Sequence, residues 1–369
     1  MRRFISVLTC LVVVTLPTLA QAPPSAVVIG SGSFSPIVAD LEKSLAFYND
    51  LLGATPPPTT PAWGADPALV NFLGVPGAQV RVGNVRIPGS ALRVEIVDFK
   101  DLERKPVKPR LQDPGAVRLI LIVRNVDTLL SHLKEKGVAV VTAGGAPVAV
   151  NTPSKGRAVV VKDPDGFFVE ILQPDSLPET TAPAASNVVD AHFGLTVEDT
   201  EKTVRFYRDV LGFQPRTGAS FVTDKALSDL MATPGAQARV SSAAIPGSRV
   251  EIEFVEFRGI DRKPIGARIQ DPGATRLQLR MKDTDAAVKS LVSAGGTVIT
   301  TGGNGGPIDM QGLRVAIVRE LNNLFLVTFT QGQQPARSHH ATLRRDQPDR
   351  RVRGTAGPSA NHRAVTMTG

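Results

Sequence analysis

Hydrophobic and polar residues follow two periods in this chain, and the switch between them recurs. In Ser33–Leu52 and again in His192–Leu211, a short alternating run gives way to the frame x-D-x-E-K-[S/T]-x-x-F-Y-x-D-x-L-G. Leu41, Leu45, Tyr48 and Leu52 fall on one helical face, which predicts a helix over 41–52 with Asp40 as N-cap and Gly53 as its stop. A short strand over 35–38 precedes it, and strands over 78–87 and 92–99 follow, split by a Pro-Gly-Ser turn. Residues 54–77, rich in Pro and Gly and carrying Trp63, read as a loop. The pattern then restarts: strand 117–123, helix 127–136 ended by Gly137, strand 138–141, and a hairpin of 157–162 and 167–173 across Asp-Pro-Asp-Gly.

Residues 33–173 therefore hold two βαβββ-like modules, and the whole arrangement occurs twice. Pro-Gly-Ala-Gln at 76, Ile-Pro-Gly-Ser at 87 and Gln-Asp-Pro-Gly-Ala at 112 each recur 158 residues later. So constant an offset marks an internal duplication. The expected organisation is α+β: a first domain over 30–174, a linker over 175–189, and a second domain over 190–331. The linker, PDSLPETTAPAASN at 174–187, is too poor in apolar residues to join a core. The Arg/Gln/Ser/Pro-rich tail 332–369 reads as disordered.

Composition adds less than the pI suggests. Of the formal charge of +8, Arg2 and Arg3 supply two units and the tail a net five, which leaves +1 for the body. A nucleic-acid partner is not implied. Met1–Ala22, with its paired arginines, apolar run 4–16 and Pro17, has the form of a secretory signal cleaved after Ala20, and the run is too short for a stable membrane anchor. The expected location is periplasmic or secreted. The only cysteine, Cys10, lies in that segment, so the mature chain would have no disulfide, thiolate nucleophile or zinc–cysteine site. Composition is compatible with a homo-oligomer and does not specify one.

The duplicated modules, the D-x-E-K-[S/T]-x-x-F-Y-x-D-x-L-G frame and Asp163-Pro164-Asp165-Gly166 followed by Glu170 resemble the vicinal oxygen chelate superfamily, which includes glyoxalase I, extradiol dioxygenases and bleomycin resistance proteins. The resemblance implies paired modules curled into cupped mixed sheets, with inward ligand positions on the first and last strand of each module. Those positions map to Ser33, Glu95, Arg118 and Glu170 in the first repeat, and to His192, Glu253, Arg276 and Val327 in the second. Strand alternation agrees with the facing: Arg276, Gln278 and Arg280 share one side, as do His192, Gly194 and Thr196.

The resemblance also implies a divalent metal (Fe, Mn, Ni or Zn), for which His192, Glu253 and Glu170 are the candidate ligands. A first-row ion usually takes three or four protein ligands, and neither repeat offers a full set. Each repeat instead brings an arginine to the site, and a guanidinium cannot ligate. By Coulomb's law a cation about 4 Å from a dication is repelled by roughly 8 kcal/mol at an effective dielectric near 20. The expectation is that arginine takes over the metal's electrostatic role, with Arg118 bridging Glu95 and Glu170, and Arg276 pairing with Glu253. Three classes remain, in this order: a binding protein for a small anionic or oxygen-rich molecule with a degenerate metal site; a metal-dependent lyase, isomerase or oxygenase of the glyoxalase/dioxygenase type; and a structural or interaction module. Arg110 and Arg268, in matching Lys-Pro-x-x-x-Arg frames, are expected to cap crossover loops, and an isolated strand histidine such as His192 more often bonds within its sheet than ligates.

Overall fold

Four side-chain caps organise the chain. Asp40, Asn125, Asp199 and Asp283 each take an extended conformation and accept the amide of the residue three positions on, Lys43, Thr128, Lys202 and Ala286. Each cap turns a first strand into a helix, so the computed structural model, described here over residues 27–54, 60–151, 155–218 and 220–331, has four modules. Module one runs β1 (Val28–Val38), α1 (Leu41–Leu52), α2 (Pro67–Phe72), β2 (Gln79–Arg86) and β3 (Arg93–Lys100). Module two is β4 (Val117–Val123), α3 (Val126–Glu135), β5 (Val148–Val150), β6 (Gly156–Lys162) and β7 (Phe168–Pro174). Module three is β8 (Val188–Thr196), α4 (Thr200–Leu211), β9 (Arg216–Thr217), α5 (Lys225–Met231), β10 (Gln237–Ala244) and β11 (Glu251–Arg258). Module four is β12 (Thr275–Met281), α6 (Thr284–Ser293), β13 (Thr297–Val298), β14 (Ile308–Met310), β15 (Leu313–Arg319) and β16 (Phe325–Gln331). Residues 1–22, expected as a signal segment, and the tail 332–369 lie outside the described residues.

The fold is α+β, with two curled mixed sheets of eight strands. Neither sheet is one sequence repeat. The first, β13-β15-β16-β12-β1-β3-β2 with β14 on β15, joins module one to module four; the second, β5-β6-β7-β4-β8-β11-β10-β9, joins module two to module three. Each is sewn along an antiparallel seam, β1 to β12 or β4 to β8, flanked by parallel pairs. The loops 101–116 and 259–274, which carry the chain between sheets, clasp one another. Val107 N–H donates to Pro272 O at 2.7 Å and Ile265 N–H to Pro114 O at 2.9 Å. Arg110 holds Asp113 at 2.7 Å, and Arg268 holds Asp271 at 2.8 Å. Asp113 and Asp271 then accept the amides of Lys263 and Lys105 across the clasp.

The largest core lies on the helix-covered faces and spans both sheets, with Phe34 of β1 edge-on to Phe193 of β8 at 6.1 Å between centroids. The opposite, concave face of each sheet has its own apolar lining. Several expected elements differ. β1 is eleven residues long, not four, because a bulge between Ser31 and Phe34 keeps the Gly-Ser leader in register with β12. Residues 138–141 make only an isolated bridge, Val140 to Val161. Residues 67–72, expected as loop, form α2, with Asp66 accepting the Leu69 amide and Pro67 in the first turn. The linker is not free of the core, since Ala182 packs against the lining of the second concave face.

Candidate functional site

At the floor of the second cup, Arg118 of β4 is wholly buried among acids from two other strands. Its Nε donates to Glu170 Oε2 of β7 at 2.9 Å, and its Nη2 donates to Glu253 Oε1 of β11. Nη1 is buried with no partner among the described residues. Register places Arg118 opposite Gly194 of β8, and the glycine has a steric reason. A Cβ at 194 would stand 2.9 Å from Arg118 Cζ, so any side chain there would displace the guanidinium. Burial pushes the Glu253 carboxyl up to about 7; Arg118 pulls it down and the neighbouring Glu170 charge pushes it up again. The group can therefore hold or release a proton near neutrality, while Arg118 can offer a hydrogen bond to an uncharged ligand oxygen.

The first cup repeats the plan with one acid fewer. Arg276 of β12, also buried, donates through Nη2 to Glu95 Oε1 of β3 at 2.9 Å. Ser35 of β1, opposite Arg276, donates to the same oxygen at 3.4 Å. Arg276 Nε has no partner among the described residues, and Val327 of β16 stands where the second acid would be. Burial pulls the guanidinium below its ordinary value and Glu95 pulls it back; it stays charged.

A short helix covers part of each cup from the other module. Thr142 Oγ1 donates to Leu230 O of α5 at 3.1 Å and accepts the Val160 amide of β6 at 2.8 Å. Thr300, 158 residues on, does the same with Phe72 O of α2 at 2.8 Å and the Ile317 amide at 2.8 Å. A separate cavity of about 730 Å³ lies outside both cups, between α1 and α3, lined by Phe47, Asp50, Leu133, Lys136 and Asp163 among others. The buried Asp163 carboxylate there is turned to the Tyr48 hydroxyl and to the amides of Asp165 and Phe167, a turn-stabilising role.

The expected ion pairs are exchanged between repeats. Arg118 bridges Glu170 and Glu253, not Glu95 and Glu170; Arg276 holds Glu95, not Glu253. The cause is the pairing of modules across the duplication. The first-strand positions also move by two residues. Ser33 lies at the β1 bulge, its buried hydroxyl unpartnered among the described residues, and Ser35 takes the site position. His192 lies on the concave face but opposite Ile120, where its Nδ1 accepts the Glu251 amide at 3.2 Å. Burial lowers its pKa, against Asp190 and Glu251. The structure brings Glu170 and Glu253 together but leaves His192 out of their cluster, and no group of three metal-ligating side chains occurs among the described residues. A divalent ion does not fit either floor, since a charged guanidinium lies between the two carboxylates of the second cup and against the single carboxylate of the first. Sequence reasoning missed Gly194, Ser35 and the two lid helices. The signals available were the Asp66-Pro67 helix start and a glycine at an inward strand position.

The model of the Glyoxalase/Bleomycin resistance protein/Dioxygenase superfamily matches residues 32–171 and 191–314. Among solved structures, glyoxalase I from Zea mays is 14% identical over 83% of this chain and 93% of its own, at a TM-score of 0.51. A dioxygenase-like protein from Bacillus subtilis is 14% identical over 83% of this chain and 86% of its own, also at 0.51. TnmS3, an antibiotic-binding protein from Streptomyces, is 28% identical over 40% of this chain and 96% of its own, at 0.25. No curated protein matches the chain.

Proposed function

The chain belongs to the Glyoxalase/Bleomycin resistance protein/Dioxygenase superfamily, and we propose that it binds small anionic or oxygen-rich molecules in its two cups, each built round an arginine–carboxylate cluster instead of a metal. The observation that carries this reading is the Arg118 guanidinium, bonded to Glu170 and Glu253 with Nη1 left unpartnered among the described residues. A buried donor without a partner costs about 1–3 kcal/mol, and more when charged, so a ligand oxygen placed there is strongly favoured. The apolar lining around each floor would supply the non-directional part of the affinity, the usual division in small-molecule sites. The alternative, metal-dependent glyoxalase or dioxygenase chemistry, needs at least one more ligand at each floor and the removal of a cation.

A thermal-shift screen of the full chain against divalent metals and organic ligands separates the classes. Stabilisation by organic ligands alone supports the binding reading. Stabilisation by Fe, Mn, Ni or Zn refutes it in favour of the metal enzyme, and no response to either favours a structural module. We also propose that residues 1–22 direct export. N-terminal sequencing of protein recovered outside the cytoplasm should start at Gln21, and a chain retained inside with Met1 intact contradicts this.

A further inference from the structure

The two cups share a central arginine and one acid, and otherwise their charges are inverted. On the concave face of the first sheet, Arg93 and Glu95 lie two apart on β3, Arg86 of β2 pairs with Arg93, and Arg276 and Arg280 lie four apart on β12. Four arginines face one carboxylate, a net of three positive charges. In the duplicate, 158 residues away in sequence, Arg93 is replaced by Glu251 and Arg280 by Ile122. That cup sets Asp190, Glu251, Glu253 and Glu170 against Arg118 and Arg216, a net of two negative charges when all four acids are ionised. Arg216 reaches in from β9 to neutralise Glu251.

Arg86, Arg93 and Arg280 are exposed at one end of the first cup, and none has a carboxylate within 4.0 Å among the described residues; Arg280 donates only to the Ile29 carbonyl. Below them are two buried polar atoms with no partner among the described residues, Arg276 Nε and Ser33 Oγ. Deeper still the surface turns apolar, with Val97, Phe99, Ile317, Phe325 and Val327. Glu95 is the most accessible of the three floor carboxylates, its side chain 22% exposed against 7% for Glu170 and 8% for Glu253.

From this arrangement we propose that the first cup is a site for an organic anion, a molecule with a carboxylate or phosphate head and an apolar body, and that its duplicate rejects the same ligand. Unpaired arginines at the open end concentrate anions and supply charge-assisted hydrogen bonds, while the apolar end takes the body. The acids of the second cup repel the head group. This rests on the reading above that the cups hold small molecules.

The test is calorimetric titration of the full chain at low salt with benzoate, phenyl phosphate and, as a cation of similar size, benzylamine. One of the two anions should bind with one site per chain, and which one binds identifies the head group. Binding should weaken with added salt and fall about tenfold or more in Arg93→Gln/Arg280→Gln, both exposed positions. It should be unchanged in Arg205→Gln/Lys289→Gln, which removes the same charge from exposed helix positions. Equal loss in both double variants, two anion sites per chain, or equal binding of benzylamine to the first cup would overturn the proposal. If both anions fail while other organic ligands stabilise the chain, the charge assignment falls alone. If no organic ligand does, the small-molecule reading falls with it.

Discussion

Arg118→Met removes the one cation that Glu170 and Glu253 share and leaves a side chain of similar length and no charge. In the native chain the guanidinium is wholly buried and bonded to both acids. Removing one partner of a buried ion pair costs about 3–5 kcal/mol, because the remaining charge stays out of water. Here Glu253 can escape the penalty by protonating. Glu253 already stands at about 7 with Arg118 pulling it down, so its folded pKa rises further in the variant. A folded pKa above the unfolded value, 4.5, means the native state binds more protons, and stability falls as pH rises through that window. The loss relative to wild type should therefore be constant below about pH 7, where Glu253 is protonated in both proteins, and grow by about 1.4 kcal/mol per pH unit above it, toward the full 3–5 kcal/mol. Urea unfolding followed by circular dichroism at several pH values reads this directly. A difference below about 1 kcal/mol at pH 8, or one that does not change between pH 5 and 8, would refute the reasoning that Arg118 is the counter-ion of a dry carboxylate pair.

Three further outcomes follow from named contacts. Gly194→Ala puts a methyl 2.9 Å from the Arg118 guanidinium and should destabilise by about 1–3 kcal/mol in thermal unfolding, with a smaller cost in the Arg118→Met background; an unchanged melting temperature contradicts the close approach. Thr142→Val leaves the Leu230 carbonyl and the Val160 amide without their shared hydroxyl, which should cost about 1–3 kcal/mol and speed hydrogen exchange in α5 before the rest of the sheet; uniform protection argues against a latch. Burial pushes Asp163 and Glu320, like Glu253, up to about 7, so wild-type stability should decline from pH 5 to pH 8, and a rise over that range would contradict the three assignments.

The elements legible in the sequence were those whose signals are local. Asp40 and Gly53 bracket α1 where the periodicity put it, and β4 occupies 117–123, the strand expected there. What alternation cannot supply is depth. Residues two apart on a strand share a face, so His192 and Gly194 were equally good inward positions until pairing with β4 set Gly194 against Arg118. Nor does a duplication state which modules pair. The offset of 158 is the same whether module one joins module two or module four, and the exchange of Glu95 for Glu253 on Arg118 follows from that choice alone. α2 spans only six residues, too few for a period, and its sole mark was Asp66-Pro67. The charges themselves were readable. An arginine at the same place in both repeats already argued against a metal, and the structure shows both buried between their acids or beside one.

Metal content, measured by elemental analysis of the dialysed chain and of Arg118→His, tests the central claim most directly. The variant replaces the cation with an imidazole beside Glu170 and Glu253, the ligand types that hold first-row divalent ions. The account predicts no stoichiometric Fe, Mn, Ni or Zn in the wild-type chain, and uptake of about one ion per chain by the variant when it is supplied with metal. A wild-type chain that keeps a stoichiometric ion through dialysis contradicts it.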